Sequence, residues 1–275
     1  MPELPEVETV KKTLESLVLG HNIERVTVRW PKMIKRPDDI HEFAQLIEGQ
    51  TFREVARRGK FLKFHLDDVT IVSHLRMEGR YGVYEASEPF DKHTHVCFHL
   101  DGDLDLRYRD VRKFGTMHVF SKGTEEDYRP LSDLGPEPFS DTFTVDAFYQ
   151  RLQNTKRNIK ATLLDQTVVT GLGNIYVDEA LFQAGIHPER TASHITKTEV
   201  EKLREAIIST LSHAIELGGS SVKSYVNGQG EMGMFQQQLF VYGRASEACK
   251  NCETPIEKSV VAGRGTHVCP NCQHK

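Results

Sequence analysis

Two periodicities divide the chain. Across residues 5–19, Val7, Val10, Leu14 and Leu17 recur at helical spacing, with Pro5 suited to open an amphipathic helix and Gly20 to close it. From about residue 22 to 121 the period changes to two: Val26-Val28-Trp30, Leu62-Phe64-Leu66, Val96-Phe98-Leu100 and Met117-Val119 alternate with polar residues, as half-buried antiparallel strands do. Asp101-Gly102 between two of these runs signals a hairpin turn. The acidic series Asp101, Asp103 and Asp105 lacks the rest of a calcium loop and reads as that turn.

Residues 122–143, rich in Pro, Asp and Ser, suit a linker, and beyond them the helical period returns. Short helices fit 145–153, 159–165 and 176–184. A longer one follows, opened by Thr196 or Thr198 with a Glu three residues on, carried by Val200, Leu203, Ile207, Leu211 and Ile215, and closed by Gly218-Gly219. A glycine-rich stretch spans 218–236. The pattern predicts an α+β chain: helix, antiparallel β-sandwich, linker, helical bundle and a cysteine-bearing hairpin.

At 275 residues there is room for two ordinary domains, each with its own core. With 38% hydrophobic and 27% charged residues, wholesale disorder is excluded. No basic stretch followed by an apolar one opens the chain, and no apolar run reaches ~18 residues, so a cytoplasmic protein is expected. A net charge of −4 argues against a generic nucleic-acid binder. Local charge says more: Arg53, Arg57, Arg58, Lys60 and Lys63 form one basic cluster, Arg107, Arg109, Arg112 and Lys113 a second, and Lys156, Arg157 and Lys160 a third. Each cluster alone reads more simply as a solvated face.

Four of the five cysteines form Cys249-x-x-Cys252 and Cys269-x-x-Cys272, with 16 residues between the pairs. That spacing is a zinc ribbon's, in which two knuckles aim four thiolates at one closed tetrahedral site. The alternative, two disulfides, is disfavoured in a reducing cytosol. Cys97, inside an alternating stretch, is expected to pack in a strand.

The opening Met1-Pro2-Glu3-Leu4-Pro5-Glu6 reads first as helix punctuation, proline and acid in a first turn. A sharper reading starts from removal of Met1, which leaves Pro2 with a free secondary amine. An α-amino group titrates near ~7.7–8.0 against ~10.4 for lysine, so far more of it is neutral and nucleophilic at physiological pH. Such an amine can form a Schiff base at a sugar C1′, with Glu3 beside it to move protons.

Taken together, the residues Met1–Thr9, Arg57-Arg58-Gly59-Lys60, His74-Leu75-Arg76-Met77, Asp110-Val111-Arg112-Lys113-Phe114-Gly115, Gly171-Leu172-Gly173-Asn174-Ile175-Tyr176 and Gly263-Arg264-Gly265-Thr266 resemble the bacterial formamidopyrimidine-DNA glycosylases. The likeness spans nearly the whole chain, in order. It implies an enzyme that excises oxidised purines (8-oxoguanine and formamidopyrimidines) from damaged double-stranded DNA and cleaves the strand by β,δ-elimination. In that likeness Pro2 is the nucleophile, Glu3 the acid assisting base loss and ring opening, and Glu6 a supporting acid. Lys60 is the proton donor linked to β-elimination and Arg264 the one linked to δ-elimination. His74, His93, Arg112, Lys156 and Asn174 are expected on the DNA, Asn174 within a helix–two-turn–helix whose backbone cradles a phosphate. Met77, Arg112 and Phe114 resemble side chains that fill the gap left by an extruded base, though Met and Phe more often belong to a core.

The resemblance also implies one structural Zn²⁺ on Cys249, Cys252, Cys269 and Cys272, a monomer, and a catalytic domain at 1–121, linker 122–143, helical DNA-binding domain 144–222, flexible lesion-recognition loop 223–237 and zinc finger 238–275. The related endonuclease VIII enzymes, which prefer oxidised pyrimidines, are the nearest alternative, and Glu3-Leu4-Pro5 with the Met77, Arg112 and Phe114 set favours the purine enzymes. From a different class, a non-catalytic zinc-dependent DNA-binding protein with an idle N-terminus also fits the residues.

Overall fold

A computed structural model describes residues 1–220 and 233–275, which fall into two compact units, Met1–Asp133 with Gly218–Gly233, and Leu134–Leu217 with Met234–Lys275. The first opens with helix α1 (Leu4–Val18), whose Val7, Val10 and Leu14 are buried at the spacing the sequence shows, while Leu17 is only half-buried and Val18 takes the fully buried place beside it. The helix ends before Gly20, which takes φ +84°.

Two sheets follow. One has the order β1 (Ile23–Val28), β7 (Thr94–Leu100), β8 (Leu104–Arg109) and β6 (Arg80–Glu85), all antiparallel. The other runs β2 (Ile34–Arg36), β9 (Thr116–Ser121), β5 (Val69–His74), β4 (Phe61–His65) and β3 (Glu54–Arg58), with the β2–β9 pair parallel. One apolar core joins the inner faces of both sheets to α1. Phe52 bridges them, its ring 5.7 Å from Phe64 of one sheet and 6.5 Å from Phe98 of the other. Each such side chain taken fully out of water contributes about 1.5–3 kcal/mol before entropy is counted. Leu100 pairs with Leu104 across a turn in which Gly102 and Asp103 take positive φ, so the acidic series is a hairpin turn.

Three expectations are corrected. Trp30 lies outside β1, which ends at Val28. A short helix, α2 (Ile40–Ile47), capped by the Asp39 carboxylate on His41 and Glu42 N–H, interrupts the stretch read as strand only. In β5 every residue is buried, so the sheet's central strand shows no alternation at all. Glu125, within the stretch read as linker, is buried and ion-paired to Lys63 at 2.8 Å.

The second unit holds α3 (Val145–Gln153), α4 (Ile159–Leu164), α5 (Asn174–Ala184) and α6 (Lys197–Glu216), then the hairpin β10 (Glu257–Val261) and β11 (Arg264–Val268). Thr196 and Glu199 form the capping box of α6, and Gly185, at φ +70°, ends α5. Helix α5 is the hub: α4, α6 and β11 all pack on it.

Candidate active site

Glu3 is the N-cap of α1, and its backbone N–H donates to Glu6 Oε2 at 2.8 Å. Pro2, Glu3 and Glu6 are all buried, while Met1 is exposed, so trimming Met1 bares an amine already seated at the helix start. Glu6 Oε1 accepts a further 2.7 Å bond from the Ser220 N–H. That approach requires glycine at 219: it takes φ +80°, and a Cβ there would lie 2.8 Å from the same oxygen.

Lys60 sits in the turn between β3 and β4. Arg57, in β3, ties that hairpin to α1 by a 2.9 Å bond to Glu8 and donates to Gly59 O, holding the turn to the helix that Pro2 and Glu3 lead into. Gly59 takes φ +57° there. His74, paired with Phe61 across β4 and β5, is buried and accepts the Arg76 N–H on Nδ1. Its pKa is lowered to about 3 by burial, then by the charges of Arg76 and Lys60, so the ring is neutral. Lys60 is thus close enough to His74 to be felt electrostatically, and both are buried.

Met77 is 38% exposed and Phe114 51%, which removes both from the core. Arg112 is also exposed, its guanidinium 4.7 Å from the centre of the Phe114 ring, and His93 is half-buried. In the second unit, Lys156 is exposed, Asn174 is the first residue of α5, and Arg264 is exposed where the turn enters β11. Asn174 Nδ2 donates to the carbonyl of Gly265, next to Arg264, at 2.9 Å.

The basic clusters are not the uniform faces that sequence suggests. Lys160 is wholly buried and paired with Asp178 at 2.7 Å; Arg107, 2% exposed, is paired with Asp105. Lys63 faces Glu125 and Glu126, and Arg53 faces Asp67. Much of the positive charge is committed internally, leaving Arg112, Lys113 and Lys156 among the exposed cations.

Four sulfur atoms, those of Cys249, Cys252, Cys269 and Cys272, lie within 4.8 Å of one another. Cys249 to Cys272 is 3.9 Å and Cys252 to Cys269 is 3.5 Å. A tetrahedron with Zn–S bonds of ~2.3 Å has edges of about 3.8 Å, so the set fits zinc without rearrangement. These distances are far too long for S–S bonds of ~2.05 Å.

Cys97, His99 and Asp105 also gather, but both ring nitrogens of His99 are engaged, Nδ1 with Asp105 at 2.7 Å and Nε2 with Thr27 at 2.8 Å. Burial pushes the Cys97 thiol up to about 12 and keeps it protonated. The cluster is a hydrogen-bond network within the strand pair.

Three family models match in succession: the formamidopyrimidine-DNA glycosylase N-terminal domain over residues 1–117, its H2TH domain over 134–226, and a zinc finger found in FPG and IleRS over 246–275. The formamidopyrimidine-DNA glycosylase of Halalkalibacterium halodurans is 62% identical over 273 residues, covering 99% of this chain and 100% of that one. This chain belongs to the formamidopyrimidine-DNA glycosylase family. The Bacillus subtilis protein of that name is 57% identical over the full length of both. Among solved structures, the Lactococcus lactis family member in complex with DNA containing an abasic site superposes with TM-score 0.92 at 41% identity, covering 99% of this chain and 100% of that one. The same protein with DNA carrying N7-benzyl-Fapy-dG gives TM-score 0.93 at 41% identity and 100% coverage of both. The family's one structural zinc is accommodated by the four cysteines.

Neither the grip of Ser220 on Glu6 nor the pairing of Lys160 with Asp178 was anticipated from sequence. Gly219 reads from sequence as a helix stop and as part of a glycine-rich stretch, neither of which points to Glu6. The lesion-recognition loop expected at 223–237 lies largely outside the described residues.

Proposed function

We infer that this chain is a base-excision DNA glycosylase and abasic-site lyase that removes oxidised purines from duplex DNA. The observation that carries the reading is full-length likeness to the glycosylase family in a chain whose Pro2 opens a buried acidic helix start.

In this reading the Pro2 amine, freed of Met1 and neutral, attacks C1′ of the damaged nucleotide. The new C1′–N bond replaces the glycosidic bond, whose electron pair leaves with the base. Glu3 protonates the sugar ring oxygen as it opens, and the resulting iminium is the Schiff base. Loss of a C2′ proton to water then breaks the C3′–O bond and expels the 3′ phosphate, with Lys60 the proton donor to the departing oxygen in this β-elimination. Loss of the 5′ phosphate follows with Arg264. Glu6 holds the helix start and the Ser220 backbone together as a supporting acid.

His74, His93, Arg112, Lys156 and Asn174 contact the DNA, Asn174 from the start of α5, where the positive end of the helix dipole favours phosphate. Met77, Arg112 and Phe114 enter the duplex behind the extruded base, for which their exposure qualifies them. Catalysis falls to residues 1–121, DNA binding also to 144–222, and support of Arg264 to the zinc finger at 238–275. The enzyme acts as a monomer on cytosolic DNA; among the described residues no helix is long and apolar enough to cross a membrane.

Borohydride trapping on an 8-oxoguanine duplex tests the assignment. The expected product is one covalent adduct whose peptide maps to Pro2. A cross-link at Lys60 overturns the choice of nucleophile, and the absence of any adduct on lesion DNA that is nonetheless bound leaves a binding protein.

A further inference from the structure

The loop from Asp110 to Gly115, between β8 and β9, has neither helix nor ladder hydrogen bonds, yet it exposes Val111, Arg112, Lys113 and Phe114. Entering a base stack from a floppy loop would require ordering these residues at the moment of insertion. We propose that Asp110 is the positioning residue that pre-forms this loop, and so sets the rate of base extrusion while itself remaining buried. The inference rests on the insertion role given to Arg112 and Phe114.

Asp110 is 1% exposed, and every polar part of it is engaged. Oδ1 accepts the Arg112 N–H at 3.0 Å. Oδ2 accepts the Phe114 N–H at 2.9 Å and the Gly115 N–H at 2.8 Å. The Tyr108 hydroxyl donates to Oδ2 at 3.5 Å. The backbone is clamped too: Asp110 N–H donates to His93 O at 3.0 Å, and Asp110 O accepts from His95 Nε2 at 2.7 Å. One carboxylate therefore gathers the amides on both sides of Lys113, which takes the left-handed φ of +59° needed to fold the chain back. The Lys113 ammonium rests 4.0 Å from the centre of the Trp30 ring, pinning the apex from outside.

Tyr108 is itself fixed. A Cβ at Gly79 would lie 2.1 Å from its hydroxyl oxygen and one at Gly115 1.8 Å, so both glycines exist to let backbone close around that oxygen. Burial raises the Tyr108 pKa well beyond its ordinary value, so the hydroxyl remains a donor.

No near relative of aspartate substitutes. Glutamate is one methylene longer and would push the loop outward. Asparagine offers one acceptor oxygen and turns its NH₂ against an N–H that now has no partner, so the loop must open on one side.

Asp110→Asn is the test, read against Phe114→Ala. Single-turnover excision of 8-oxoguanine is expected to slow about 10- to 100-fold, the loss of a charge-assisted bond set. Cleavage at a pre-formed abasic site, where no damaged base remains to be released, is expected within about twofold of the parent. The fluorescence rise of 2-aminopurine placed beside the lesion, which reports unstacking, should slow by the same factor as excision.

Equal losses on both substrates, or unimpaired excision, overturn the proposal. If Phe114→Ala excises at the parental rate, the insertion reading itself fails. If Phe114→Ala is slow and Asp110→Asn is not, only the positioning role of Asp110 fails. Should Asp110→Asn not fold, Tyr108→Phe decides, since it keeps the ring and removes one donor. It is expected to slow excision about threefold while sparing abasic-site cleavage, and an unchanged excision rate overturns the proposal.

Discussion

Truncating Asp178 to alanine isolates what holds the zinc hairpin to the helices. Lys160 is 0% exposed and donates from Nζ to Asp178 Oδ1 at 2.7 Å, Thr266 Oγ1 at 2.8 Å and Gly265 O at 3.1 Å. Asp178 Oδ2 meanwhile accepts the His267 N–H at 2.9 Å. In Asp178→Ala the ammonium stays buried without its carboxylate, and the His267 N–H loses that acceptor. Breaking a buried pair from one side costs about 3–5 kcal/mol. For a unit of this size that is roughly 10–20 °C off the melting transition of the hairpin-bearing unit.

Lys160→Met with Asp178→Leu removes both charges and should cost clearly less than the two single changes added, because no lone charge remains. The assay is a thermal melt followed in parallel by zinc release to a chromogenic chelator, which reports this unit alone. An Asp178→Ala variant that melts and releases zinc within 3 °C of the parent would refute the reasoning, as would a double variant whose cost equals the sum of the singles.

Gly219→Ala places a methyl group 2.8 Å from Glu6 Oε1 at a positive φ. It is expected to lower lesion excision about tenfold without shifting zinc content, measured by single-turnover cleavage, and unchanged excision would show that the Ser220–Glu6 bond has no part in the site. His74 has a folded pKa of about 3, below its usual 6.5, because burial favours the neutral ring. The stability this gives is fully present above pH 6.5 and shrinks as the pH falls toward 3, since the unfolded chain then binds a proton the folded chain refuses. His74→Gln should therefore flatten the loss of stability between pH 6.5 and 4 in urea titrations, and an unaltered slope would assign the acid sensitivity elsewhere.

Residues whose partners are near in sequence were the legible ones. Helix α1 showed in Val7, Val10 and Leu14, and the α6 capping box in Thr196 with Glu199. Short α2 was hidden because eight residues give barely two turns of pattern, although Asp39 before Phe43 and Ile47 was a usable signal. Strand β5 was hidden because burial on both faces erases alternation.

At the candidate site, the motifs singled out Pro2, Lys60 and Arg264 for the roles proposed above, but not the long-range contacts around them. Ser220 meets Glu6 across 214 positions and Lys160 meets Thr266 across 106, and no local pattern encodes such meetings. Lys160 was grouped with Lys156 and Arg157 because charge in sequence says nothing of which face of α4 a residue takes. Asp110 was visible as one letter of a motif, while its work depends on Tyr108 and two glycines packed around it.

Helix α5 carries a consequence for how this chain can vary. Asn174 reaches Gly265, Asp178 reaches Lys160 and His267, and Glu179 takes the N–H groups of Phe240, Val241 and Tyr242 at 2.8–2.9 Å. Three side chains within two turns thus address three separate stretches of chain, and each must leave the helix at its own angle. Inserting or deleting one residue between 174 and 178 would rotate one end by about 100° against the other. Only the partners of one end could then stay docked, Gly265 at Asn174 or Lys160, His267 and the 240–242 amides at Asp178 and Glu179. The residue count of that helical segment is a fixed phase, set like the teeth of a gear by the parts it meshes with.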